Sequence, residues 1–193
     1  MISVGGQGRK ARRKRHLHRR RTRRLEVTDL VETRVSGAEA PPLVAALLAR
    51  HGYLPLATID SLPTEVVGSY VLLFRVAGAT EVEVGRLGRL RLGPGLYAYS
   101  GSALRGLRAR VARHLRIRKQ MHWHIDYVLT VATEVAVWVA TGDLRRECLL
   151  AGDLLALAGV TVPARGLGAS DCRCVAHLLR LPERSAAPDD LGR

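Results

Sequence analysis

The stretch from residue 68 to residue 101 constrains the fold more than any other part of this chain. "SYVLLFRVA" (69–77) is a β-rich run, "EVEVG" (81–85) and "RLRLG" (89–93) alternate apolar and polar side chains, and "GLYAYSG" (95–101) is a further short run. Alternation with a period of two marks a half-buried strand, and the Gly and Ala turn residues between the runs predict an antiparallel meander. A helix is expected over 103–117, a buried strand over 134–140, and a second helix over 143–159 with Asp143 as N-cap and Gly159 as C-terminal stop. The run 174–181 closes the sheet. The fold class is therefore α+β, a small mostly antiparallel sheet flanked by helices.

Outside this core the pattern weakens, and four segments are expected. Residues 1–24 form a basic disordered tail, 25–66 a linker with one short helix at 42–50, 67–182 the folded domain, and 183–193 a C-terminal tail. Formal net charge is +14, and residues 9–24 alone hold eleven Arg or Lys and no acid, leaving 20 basic against 17 acidic residues elsewhere. Such a segment stays solvated until it meets phosphate, where counterion release gives strong, salt-sensitive, sequence-blind affinity. An N-terminal extension with no dedicated role is the plainer reading of the same residues. No run of 18 or more apolar residues and no secretory signal are present, so a cytoplasmic, nucleoid-associated protein without membrane contact is expected.

Angular position separates the charged side chains on the two long helices. At about 100° per residue, Leu107, Val111 and Leu115 form a buried stripe, with Arg110 and His114 along its edge. Arg113 points to solvent by this count, and Arg105, Arg108, Arg113, Arg116 and Lys119 read as a basic, nucleic-acid-facing surface. On the second helix Glu147 shares a face with Cys148, Ala151, Leu154 and Leu155. A carboxylate aimed at a core needs a cation, and Arg110 or a divalent metal is the candidate partner. First-turn stabilisation by the helix dipole is the alternative.

With these residues in place, the chain resembles the GIY-YIG nucleases. "GSY" supplies Gly68 and Tyr70, "YSG" supplies Tyr99 and Gly101, Arg110 and His114 match the family's helix positions, and Glu147 follows Arg110 by 37 residues. The resemblance runs from about Gly68 to Leu181. It is closest to a little-characterised branch, sometimes joined to endonuclease III-type repair enzymes, marked by "HWHIDY", an "EC" pair and "SDCRC..HL". The chain departs from the pattern at Ser69 and Ser100, where hydrophobic residues are usual, and at Ser102, where many members carry a lysine.

The resemblance implies a metal-dependent endonuclease. Glu147 would anchor one Mg²⁺ or Mn²⁺, Arg110 would clamp the scissile phosphate, and Tyr70 would act as the base, its pKa lowered by metal and arginine. Tyr99 would position substrate or water, and His114 would be the reserve base. DNA is the expected substrate, with RNA left open and a repair enzyme as a partner. The rival reading keeps the fold as a weakly active or inactive nucleic-acid-binding module, and a third class is a docking scaffold for a repair enzyme.

Two further clusters invite a metal reading. Cys172, Cys174 and His177 offer three soft ligands and Cys148 a fourth, yet C-x-C departs from the usual C-x₂₋₄-C of structural zinc, and Cys148 also fits as a small buried residue. The spacing thus favours packing over zinc. His122, His124 and Asp126 alternate, and would share a face only on extended backbone. A histidine in the substrate groove is the better reading there, with Trp123 either stacked on a base or in the core.

Overall fold

The computed structural model describes residues 38–182; the expected basic tail, the first part of the linker and the C-terminal tail lie outside the described residues. Five strands make one antiparallel sheet in the order β1 (Leu54–Pro55), β6 (Glu134–Thr141), β2 (Gly68–Val76), β5 (Gly95–Ala103), β7 (Leu178–Leu181). β3 (Thr80–Glu83) and β4 (Arg89–Leu92) pair with each other in a separate two-stranded ribbon. The expected meander is thereby corrected. Alternation identified β3 and β4 as strands, but β2 is almost wholly apolar and takes two long partners, β5 and β6, which leaves the ribbon to fold apart.

Both faces of the sheet are covered, which is why β2 reads as a continuous hydrophobic run rather than an alternating one. Tyr70, Leu72, Phe74 and Val76 face a core shared with α2 (Leu107–Leu115), α3 (His124–Val128) and the ribbon. Val71 and Leu73 face the opposite core, built with α1 (Pro42–Arg50) and α4 (Glu147–Leu155). The short helix expected at 42–50 is α1, packed through Val44, Leu47 and Leu48. Residues 51–66, expected as linker, contribute Tyr53, Ile59 and Leu62 to the buried interior. α4 starts four residues later than expected, with Arg146 rather than Asp143 at its N-cap, so Glu147 stands in its first turn.

Register explains two glycines. Gly68 sits between Ala103 and Thr141, and a Cβ there would lie 2.2 Å from the Ala140 carbonyl oxygen. Gly101 pairs with Tyr70, and its Cβ would lie 2.6 Å from the tyrosine hydroxyl. The Tyr70 ring lies across β5 because position 101 carries no side chain. Gly101→Ala therefore forces a buried, hydrogen-bonded ring to move and is expected to cost about 1–3 kcal/mol. Thermal denaturation checks this; an unchanged midpoint would mean the ring yields freely.

Candidate active site

Four separate elements send side chains into one cleft of about 370 Å³, lined among others by Tyr70, Tyr99, Ser102, Arg110, Trp123, Arg145, Glu147 and His177. Tyr70 on β2 and Tyr99 on β5 share the α2 face of the sheet, with ring centroids 6.3 Å apart. Arg110 comes from the middle of α2, and its Cζ lies 3.9 Å from the centroid of the Trp123 ring. Arg113 lies over the same ring at 4.3 Å. Trp123 thus acts as a platform for guanidinium groups, each worth about 0.5–2 kcal/mol by cation–π attraction.

Behind Tyr70 runs a buried chain of polar contacts. Tyr70 Oη and His114 Nε2 are 2.9 Å apart, and His114 Nδ1 and Asp126 Oδ1 are also 2.9 Å apart. His114 and Asp126 are both 0 % exposed. The carboxylate can only accept, so Nδ1 carries the imidazole proton and Nε2 accepts from the phenol. Asp126 Oδ2 also accepts from Arg113 at 2.8 Å and from the backbone N–H groups of His122 and Trp123, which caps α3.

The electrostatics follow from burial and these bonds. Burial pushes the Tyr70 and Tyr99 hydroxyls above the ordinary tyrosine value, against the opposing pull of Arg110. Arg110 thus pulls Tyr70 in the direction expected of a base, but burial outweighs that pull. Burial lowers His114 despite its hydrogen bond to Asp126, which favours the charged form. For Asp126, burial raises the carboxyl, but the bonds from His114, Arg113 and the Trp123 amide outweigh it and hold the group well below the usual range.

These directions fix a pH dependence. His114 and His124 are both lowered by burial, so the unfolded chain binds protons that the folded chain refuses once the pH falls below about 6.5. Stability attributable to their neutral forms is complete above that value and declines below it. The unfolding midpoint is expected to fall between about pH 7 and pH 5, and to fall less steeply in His114→Gln. A flat profile in the wild type would contradict the burial assignment.

Glu147 is 6 % exposed and faces the cleft from the first turn of α4. Ser102 Oγ donates to its Oε1 at 2.9 Å, and Ser69 Oγ lies 3.5 Å from Oε2. Ser100 Oγ donates to the Glu147 backbone carbonyl at 3.1 Å, while Ser69 Oγ accepts from the Arg146 N–H at 3.0 Å. All three serines that depart from the resembled pattern therefore hold the start of α4. A hydrophobic residue could not make these bonds, so the substitutions act on the carboxylate's position as well as on packing. The cation nearest to Glu147 is Arg145, with Nε 3.6 Å from Oε1, rather than the expected Arg110. A buried carboxylate flanked by hydroxyl oxygens is a hard, oxygen-only donor set, which suits Mg²⁺ or Mn²⁺.

The remaining expected residues divide by placement. Arg105 and Arg116 are exposed, whereas Arg108 pairs with Asp60 at 2.6 Å. Arg113 turns inward onto Asp126 instead of pointing to solvent, because a fully buried carboxylate draws it there. Lys119 lies 3.5 Å from the same carboxylate. His122, His124 and Asp126 do not converge: His122 is exposed, His124 Nδ1 accepts from the Gly168 N–H at 3.4 Å, and Asp126 belongs to His114. Asp126, weighed in the sequence only with His122 and His124, is instead the partner of His114, its signal being the acid three residues after Trp123 at a helix start. Cys148, Cys172, Cys174 and His177 do converge, their ligand atoms all within 4.8 Å of one another.

Among the described residues, no helix is long and apolar enough to cross a membrane. No curated protein and no solved structure matches the chain. The family described as "Domain of unknown function DUF123" matches residues 69–192, well over half of the sequence and the whole of the cleft's lining. The chain belongs to this DUF123 family, which is GIY-YIG-like.

Proposed function

We propose that the protein is a divalent-metal-dependent endonuclease that hydrolyses phosphodiester bonds in DNA, in the repair or processing of unusual structures. The observation that carries this reading is the meeting of Tyr70, Tyr99, Arg110 and Glu147, from four elements, in one polar cleft. Phosphodiester hydrolysis needs an oriented water, donors for the phosphoryl oxygens and help for the leaving oxygen. Those requirements match this set of side chains.

Arg110, braced on Trp123, presents a fork of donors to the scissile phosphate. Tyr70 accepts a proton from the attacking water through its hydroxyl oxygen and passes its own proton to His114 Nε2, 2.9 Å away. No free phenolate is needed, which agrees with a phenol pushed upward by burial. Asp126 holds the acceptor tautomer of His114 and stabilises the imidazolium that forms. Tyr99 positions water or substrate beside Tyr70. Glu147, steadied by Ser102 and Ser69, would hold Mg²⁺ or Mn²⁺. That ion supplies Lewis acidity to the phosphoryl and leaving oxygens when bound. Arg105, Arg116 and the basic N-terminal segment add salt-sensitive affinity for the nucleic-acid backbone.

One observation favours a second reading, a nucleic-acid-binding module with weak or no catalysis that works with a repair partner. Ser102 stands where a lysine is common in the resembled pattern. Arg145, lining the same cleft and 3.6 Å from Glu147, returns a cation to it and supports the enzyme. A panel of labelled duplex, flap, junction and single-stranded substrates with Mg²⁺ or Mn²⁺ separates the two. Metal-dependent cleavage of at least one substrate is expected; tight binding with no cleavage across the panel would select the binding module.

A further inference from the structure

We infer that Cys148, Cys172, Cys174 and His177 form a tetrahedral zinc site that staples α4 to the loop before β7. This inference goes beyond the nuclease reading and stands without it. The four ligand atoms come from two places in the chain: Cys148 from the first turn of α4, and the other three from one run of the loop. Chain order offers no reason for them to meet. Yet all four lie within 4.8 Å of one another.

The separations suit one ion. With Zn–S of about 2.3 Å and Zn–N of about 2.0–2.1 Å at the tetrahedral angle, a sulfur and a nitrogen ligand stand about 3.6 Å apart. Cys148 Sγ is 3.7 Å and Cys172 Sγ 3.5 Å from His177 Nε2. The three thiols are free and half-buried, and His177 is 3 % exposed. Three thiolates and an imidazole make a closed Cys₃His set, the composition of a structural zinc site.

Backbone geometry supplies what the C-x-C spacing lacks. Residues 156–177 connect α4 to β7 without a helix or strand, longer than the roughly 12–15 residues at which such connections become uncommon in a compact domain. The loop doubles back through Gly166 N–H to Val175 O at 2.7 Å and His177 N–H to Leu167 O at 2.8 Å. This turn swings Cys172 and Cys174 round to the helix, so the fourth ligand need not be near in sequence.

A zinc ion here also borders the cleft. Cys148 directly follows Glu147, and His177 lines the cleft while its carbonyl accepts from the Ser100 N–H at 3.1 Å. Metal binding therefore fixes two walls of the cleft relative to each other.

The test is metal analysis of the full chain purified without chelator. About one zinc per chain is expected, released when a mercurial consumes the three thiols, with Cys172→Ser/Cys174→Ser lowering bound zinc about tenfold. So that loss of fold in that variant does not decide the outcome, apo wild type is also titrated with Co²⁺, and the visible bands of a tetrahedral thiolate site are expected. Wild type without stoichiometric zinc and without those bands overturns the inference. So does stoichiometric iron in place of zinc, or a disulfide between two of the three cysteines.

Discussion

Arg110→Ala is expected to lower the proposed metal-dependent phosphodiester cleavage by about a hundred- to a thousandfold, the usual loss when one donor to a developing oxyanion is removed. Arg110 is half-buried, and its guanidinium rests on Trp123 at the cleft's edge rather than in the core. Truncating it removes cation–π contact and stem packing, so the unfolding midpoint should drop by only a few degrees. Arg110→Lys keeps the charge but not the planar fork, and is expected to recover only part of the lost rate. Steady-state cleavage and thermal denaturation on the same preparations check both halves. Wild-type rates in Arg110→Ala would remove the phosphate clamp from the mechanism.

Asp126→Asn is expected to cause the largest loss of stability among the substitutions considered. One fully buried carboxylate serves His114, Arg113, Lys119 and the first turn of α3. Removing its charge leaves Arg113, with a side chain 24 % exposed, and Lys119, with one 5 % exposed, facing a neutral amide. Breaking a buried pair from one side costs about 3–5 kcal/mol. For a chain of this length the midpoint should fall by about 10 °C or more.

A purely structural loss would be repaired at low temperature, and here it should not be. In the proposed relay the imidazolium that forms on His114 loses its counter-charge, so turnover is expected to fall below the folded fraction, and the acid arm of the pH–rate profile, set by His114 as proton acceptor, to shift to lower pH. Asp126→Asn that recovers full turnover once folded would reduce Asp126 to a cap for α3.

How much of this could be read from residues alone depends on the kind of signal. Arg110, His114 and Glu147 were legible from their angular places on two helices, whereas Tyr70 and Tyr99 were picked out by the resemblance of "GSY" and "YSG" to the family's two tripeptides. The structure brings Tyr70, Tyr99, Arg110 and Glu147 to one cleft and places His114 directly behind it. Strand existence was legible from local pattern, but partners were not, since β3 and β4 alternate whether they extend a meander or pair apart.

The pairing of Asp126 with His114 was missed because the two stand twelve positions apart, across a turn that no spacing rule describes. Arg113 was misplaced because a helical wheel assigns outward angles without knowing that a buried carboxylate waits on that side. The thiol cluster was undervalued for a similar reason. Spacing within "CRCVAH" is a poor zinc signal, and only tertiary folding adds Cys148.

The start of α4 joins these threads. Ser69, Ser100 and Ser102 hold the start of the helix at Glu147 rather than at the Asp143 first assigned. Two serines inside the tripeptides and a third just after the second one thus set the direction of the one carboxylate proposed to hold a metal.

The measurement that bears most directly on the proposed activity is cleavage of a labelled branched DNA by the wild type and by Glu147→Gln, side by side, with Mg²⁺ or Mn²⁺ and with chelator. The amide keeps the size of the side chain and an acceptor for Ser102, so the fold should persist. Wild type is expected to cut only with metal, and Glu147→Gln to cut at least about a hundredfold more slowly. Equal rates in the two proteins, or wild-type cleavage that chelator leaves untouched, would contradict a metal-dependent site built on Glu147.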